Sequence, residues 1–154
     1  MTKDNTRNQS QHIYPVPKKS IKRISYKESP YHVKDLKHAV DFIVDEGTPV
    51  YASMDGIILD FKDDSAVGGK KSEYEDYGNF IEIKHDNDEI SEYEHLRYKG
   101  VLVKKGQRVT AGEQIGWSGA TGVLAHLGAH LHFMVGKYEF RTIPITFQKE
   151  GREE

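Results

Sequence analysis

A chain of 154 residues with 36% hydrophobic and 30% charged side chains amounts to one domain, long enough to bury a core. A formal net charge of -2 excludes a nucleic-acid surface built on basic excess, and no apolar run approaches the ~20 residues of a bilayer span. Cysteine is absent, which excludes disulfides, thiolate metal sites and a cysteine nucleophile.

Residues 1–12 are polar and patternless and read as a tail, His12 included. The segment 13–31, IYPVPKKSIKRISYKESPY, mixes basic residues with prolines and reads as an irregular arm carrying a short edge strand. The opening MTKDNTRNQSQH lacks the hydrophobic stretch of a signal peptide. Export by another route, work inside the cell, and a fragment of a longer protein all stay open. The body is expected over 32–145, with 146–154 as a second tail.

Inside the body the period is two rather than 3.6. Tyr51 to Phe61 reads as two short strands around a turn at Asp55-Gly56, and Ile81 and Ile83 alternate with Glu82 and Lys84. Further strands are expected over Glu89–His95, Val101–Val109, Gln114–Trp117 and His130–Val135, with a turn or two of helix near Val123–Leu127. Many short strands with glycine turns predict an all-β fold: antiparallel sheets in a sandwich or half-open barrel with little helix. The glycine-rich, charged segment Asp63–Gly78 is expected to overhang a groove.

The chain has eight histidines, three of them between Ala125 and Phe133. In a strand, His130, His132 and Met134 share one face while Leu131, Phe133 and Val135 face the core. Two imidazoles on one strand face are either solvent-exposed or ligands. By the same parity Ser91, Tyr93 and His95 are expected on one face, opposite Ile90, Glu92 and Glu94; an ordinary boundary histidine is the plain alternative. In His38-Ala39-Val40-Asp41-Phe42 one carboxylate sits in an apolar run, where it needs backbone donors, a charge partner or a metal. Imidazole and carboxylate are what zinc takes at a catalytic site, and three protein ligands leave a fourth position for water. The helical HExxH pattern is absent.

The pieces HAVDFIVDEGTPVYASMDGIIL, YGNFIEIKH, SEYEHL, VKKGQRVTAGEQIGWSGATG and HLHFMV occur in the order of the lysostaphin/LytM-type zinc endopeptidases, and His32–Lys137 resembles that family. The resemblance implies a duplicated half-barrel hybrid fold with a groove, one zinc ion and hydrolysis of peptide crosslinks in peptidoglycan. It carries a zinc-ligand role to Asp41 and to His132, and catalytic roles to His130 and to His95 of the Tyr-x-His-Leu motif. His130 is expected as general base, with His95 stabilising the oxyanion or protonating the leaving amine and Tyr93 assisting either; the division between the histidines stays open.

For the first histidine ligand the commonest family position falls on Lys37. A subset with eight residues between His and Asp selects His32, and His38 is the competitor. If 38–42 is a strand, a spacing of three sends His38 and Asp41 to opposite faces, which favours His32. The family frequently has Asn where this chain has Ala120. Two other readings stand beside the enzyme: a catalytically inactive member serving as a binding module, and a biotinyl or lipoyl carrier suggested by VKKGQRVTAGEQIG. The carrier lacks its modifiable lysine at a hairpin tip. The expected partner is a peptide or peptidoglycan, with no nucleic acid and no membrane span; an extracytoplasmic place follows only if the substrate is cell wall.

Overall fold

The computed structural model describes residues 11–26, 38–124, 127–137 and 141–148. The described chain is mostly antiparallel β-structure without a closed barrel, as the alternation predicts. The strands are β1 (Arg23–Ser25), β2 (Val40–Ile43), β3 (Pro49–Tyr51), β4 (Gly56–Lys62), β5 (Gly68–Gly69), β6 (Asn79–Lys84), β7 (Ile90–Val101), β8 (Arg108–Val109), β9 (Gln114–Ser118), β10 (Gly122–Val123), β11 (Leu131–Lys137) and β12 (Arg141–Thr142). The main sheet runs β1-β2-β11-β7-β6-β4-β8; β12 pairs with β11, and β9 joins β3 to β7. Among the described residues no helix is long and apolar enough to cross a membrane.

Period-two patterning decides which way each strand faces. Val40 and Phe42 on β2, Ile81 and Ile83 on β6, and Leu131, Phe133 and Val135 on β11 are buried in one core with Val50, Ile58, Leu96 and Ile115. Their odd-numbered or even-numbered neighbours form the opposite face, which becomes the floor of a cleft. The segment between β4 and β6 rises beside it. This segment carries a 3₁₀ turn over Ser72–Tyr77, and its strand β5 pairs in parallel with β10.

Two expectations change. His12 lies within the fold, fully buried, with its main chain bonded to Thr146 and Gln148, and Phe147 packs on the core. The ends of the described chain thus clasp each other because both offer an aromatic ring to the same apolar surface. Where helix was expected, Gly122–Val123 is strand and Leu124 donates to the carbonyl of Gly69; residues 125 and 126 lie outside the described residues. Trp117 is half-buried beneath Arg97, whose guanidinium carbon stands 4.9 Å from the ring centroid.

Candidate active site

Register places the candidate residues. Asp41 on β2 is the direct partner of His132 on β11, and His132 is the partner of Glu94 on β7. Paired residues share a face, so carboxylate, imidazole and carboxylate form one row across three strands. A second row sets Met134, Glu92, Glu82 and Asp60 side by side. The first row, with Glu92 of the second, floors a cleft of about 440 Å³ that is also lined by His95, His130, Phe80 and, from the overhanging segment, Ser72, Glu75 and Asp76.

Asp41 is fully buried, and its Oδ1 stands 3.0 Å from Nδ1 of His132 and 3.6 Å from Nε2 of His130. The His95 ring meets that of His130 edge-on at 4.5 Å between centroids and lies 5.9 Å from that of His132. Four of the residues singled out in the sequence therefore converge: Asp41, His95, His130 and His132. His32 lies outside the described residues. His38 stands half-buried in the turn before β2 and is not one of the residues lining the cleft. Among the described residues no group of three or more His, Asp or Glu side chains is arranged to hold a metal ion.

The two outer histidines are oriented alike. His95 Nδ1 donates to the carbonyl of Thr121 at 2.7 Å, and His130 Nδ1 donates to the carbonyl of Gly128 at 2.7 Å. A carbonyl can only accept, so the hydrogen sits on Nδ1 of each ring. The neutral ring then offers Nε2 as an acceptor. Burial pushes His95 down to about 3, with the neighbouring His130 and His132 adding to the shift, so this ring is neutral at working pH.

The carboxylates shift the other way. Burial raises Glu92, with Glu94 adding to it, and burial likewise raises Glu94. Burial and the closeness of the two carboxyls together favour their protonated forms. Farther along the sheet, burial and the charges of Glu92 and Asp60 push Glu82 up to about 7.

Strand parity fails at one point. Ser91 and Tyr93 face the core, where the Tyr93 hydroxyl is hydrogen-bonded to Ser53 and Ser91, while Glu92, Glu94 and His95 all reach the cleft. The cause is a bulge: Phe80 pairs with Glu94 and Asn79 with Leu96, so His95 is an extra residue, held at φ 72°. That left-handed geometry turns its side chain to the opposite face. Tyr93 therefore stands on the wrong side of the sheet to assist either histidine. The alternation of SEYEHL gave no warning of this. The only sequence signal is that histidine accepts the left-handed region more readily than most residues. The sequence reading misses Glu92 and Glu94 for the same reason.

Fold and cleft define a β-rich protein with a histidine–carboxylate centre, and comparison with known proteins is specific about its kin. The family model described as Peptidase family M23 matches residues 35–144. The chain belongs to that family. It is 36% identical over 126 residues to peptidoglycan DD-endopeptidase ShyA of Vibrio cholerae, covering 78% of this chain and 26% of that protein. It is 34% identical over 119 residues to glycyl-glycine endopeptidase ALE-1 of Staphylococcus capitis, covering 74% of this chain and 29% of the relative. The chain thus spans roughly a quarter of the length of these relatives. Among solved structures, the catalytic domain of lysostaphin from Staphylococcus simulans matches with a TM-score of 0.58 at 27% identity, over 79% of this chain and 87% of that one. A zinc containing peptidase from Vibrio cholerae matches with a TM-score of 0.60 at 29% identity, over 87% and 39%. These similarities support a peptidase and suggest a metal cofactor.

Proposed function

We propose that this chain is a zinc-dependent endopeptidase that hydrolyses peptide crosslinks of peptidoglycan. The observation that carries it is the meeting of Asp41 Oδ1 with Nδ1 of His132 at 3.0 Å, beside two histidines that present Nε2 to the same cleft. A carboxylate oxygen and an imidazole nitrogen pointed at each other are joined here by one proton, and a borderline-soft divalent cation can replace that proton. The donor set fits zinc. Asp41 and His132 would hold it, with His32 as the third ligand. When bound, the metal supplies a Lewis acid for the scissile carbonyl and makes a water more acidic.

The chain's own residues do the rest. His130, whose Nε2 lies 3.6 Å from Asp41 Oδ1, would take the water's proton and return it to the leaving amine. His95, neutral and proton-bearing on Nδ1, offers Nε2 as a second acceptor against the same reacting centre. In this resting form it accepts hydrogen bonds; stabilising an oxyanion would first require its protonation. The wall formed by Ser72, Glu75 and Asp76 confines the peptide on one side of the cleft. The names of the relatives support peptidoglycan as the substrate.

Defined crosslinked wall peptides, digested with and without a chelator and read by mass spectrometry, test the proposal. Cleavage that is lost on chelation and regained with zinc is the expected result. A chain that takes up zinc stoichiometrically, binds wall peptides and cuts none of them would instead be a binding module.

A further inference from the structure

The bulge that delivers His95 to the cleft leaves a gap in the ladder between β6 and β7, and one side chain fills it. Asn79 and Leu96 are register partners immediately past the bulge. The Asn79 N–H donates to Thr121 Oγ1 at 3.0 Å, and Thr121 Oγ1 donates to the carbonyl of Leu96 at 2.6 Å. A hydroxyl can both accept from one strand and donate to the other. Asn79 braces the same place: its Nδ2 donates to Leu96 O and to Ser65 O, and its Oδ1 accepts from the Ser65 N–H. All of these groups are buried; Asn79 is at 0% exposure and Thr121 at 5%.

The segment bearing Thr121 grips His95 twice more. The Gly119 N–H donates to the His95 carbonyl at 2.9 Å, and the Thr121 carbonyl accepts from His95 Nδ1 at 2.7 Å. The approach is close enough that Gly122, at φ 86°, has no room for a side chain: a Cβ there would lie 2.8 Å from Gly78 Cα and 3.3 Å from His95 Nδ1. Hydroxyl and carbonyl of one residue thus brace the strand at Leu96, next to His95, and hold the ring of that histidine.

We propose that Thr121 is a positioning residue for His95: its hydroxyl, wedged between Asn79 and Leu96, fixes the bulge, and its carbonyl fixes the ring with the proton on Nδ1 and Nε2 toward the cleft. The consequence for turnover rests on the peptidase reading; the ring tautomer does not. Because a misplacement of about 1 Å can cost about 10²-fold in rate, removing the hydroxyl while keeping the shape should lower kcat sharply.

The test uses the full chain and two variants. In Thr121→Val, kcat on a crosslinked peptide should fall about 10²-fold with KM unchanged, and Thr121→Ser should restore it. Imidazole ¹⁵N NMR should show His95 protonated on Nδ1 in the parent and in Thr121→Ser, and a mixture of tautomers in Thr121→Val. Parental kcat in Thr121→Val would overturn the proposal. So would a slow Thr121→Val enzyme whose His95 keeps the parental tautomer, since that loss would be structural. Should Thr121→Val fail to fold, the parental spectrum still decides: a neutral His95 protonated on Nε2 overturns the assignment. A parent chain that cuts no peptide at all counts against the peptidase reading and leaves the tautomer measurement standing.

Discussion

The two faces of β2, β11 and β7 are made by alternate residues of the same strands, and both bury histidines. On the core face His12 Nδ1 meets Ser53 Oγ at 2.7 Å and its Nε2 meets Glu89 at 3.0 Å. His85 is likewise bonded through both nitrogens, to the Asp55 carbonyl and to Ser91 Oγ. On the cleft face, His95 and His130 each give Nδ1 to a main-chain carbonyl, while their rings crowd Asp41 and one another. A ring bonded through both nitrogens is locked into structure. His95, held through Nδ1 by a main-chain carbonyl, keeps its orientation and tautomer with its ring in the cleft. The difference lies in what surrounds each ring, since burial is nearly the same on both faces.

The sharpest way to break this contrast is to delete cleft histidines singly. His132→Ala should lose bound metal and turnover together. His130→Ala and His95→Ala should keep the metal and lose turnover by about 10²–10⁴-fold, the usual worth of a positioned acid or base. Metal analysis of each purified variant beside its rate separates the two roles. Full activity in His130→Ala would remove the base from the scheme, and metal retained in His132→Ala would remove the ligand.

The converse change belongs to the core face. Tyr93→Phe removes the hydroxyl that accepts from the Ser53 N–H at 3.0 Å and is bonded to both Ser53 Oγ and Ser91 Oγ. Leaving a buried amide without its acceptor costs about 1–3 kcal/mol. Denaturant midpoints should show that loss, with kcat unchanged. A variant of parental stability and low kcat would mean that Tyr93 serves the chemistry after all, and the separation of the faces would fail.

Much of this is legible in the sequence alone. The alternation in HLHFMV separates His130 and His132 from Leu131, Phe133 and Val135, and the carboxylate of AVDFI marks Asp41, because both patterns follow from strand geometry alone. The motif marks His95, but strand parity puts it on the opposite face from the one it occupies. An inserted residue shifts parity by one, and nothing in SEYEHL records the insertion. Thr121 acts through both its hydroxyl and its carbonyl across a gap created by strands distant in sequence, so no local pattern could show it. His12 looked like tail because its partners Ser53 and Glu89 lie 41 and 77 residues away.

The smallest expected effect tests whether the cleft face stores like charge beyond the reacting groups. Glu82 lies between Asp60 and Glu92 in one cross-strand row, and its carboxyl is pushed up to about 7 by burial first and then by those two neighbours. The folded state therefore holds a proton that the unfolded chain releases near its ordinary 4.5. For a raised carboxyl the contribution to stability is complete below the unfolded value and is lost as pH rises through the folded one. Glu82→Gln should match the parent at pH 4 and exceed it at pH 8 by about 1 kcal/mol, after discounting the shift for solvent screening of a half-exposed group. The midpoint difference should open across the interval between 4.5 and about 7. A difference that is constant with pH would show that Glu82 ionises as it does in water, and the crowding of charge would then be confined to Glu92 and Glu94 beside the reacting histidines.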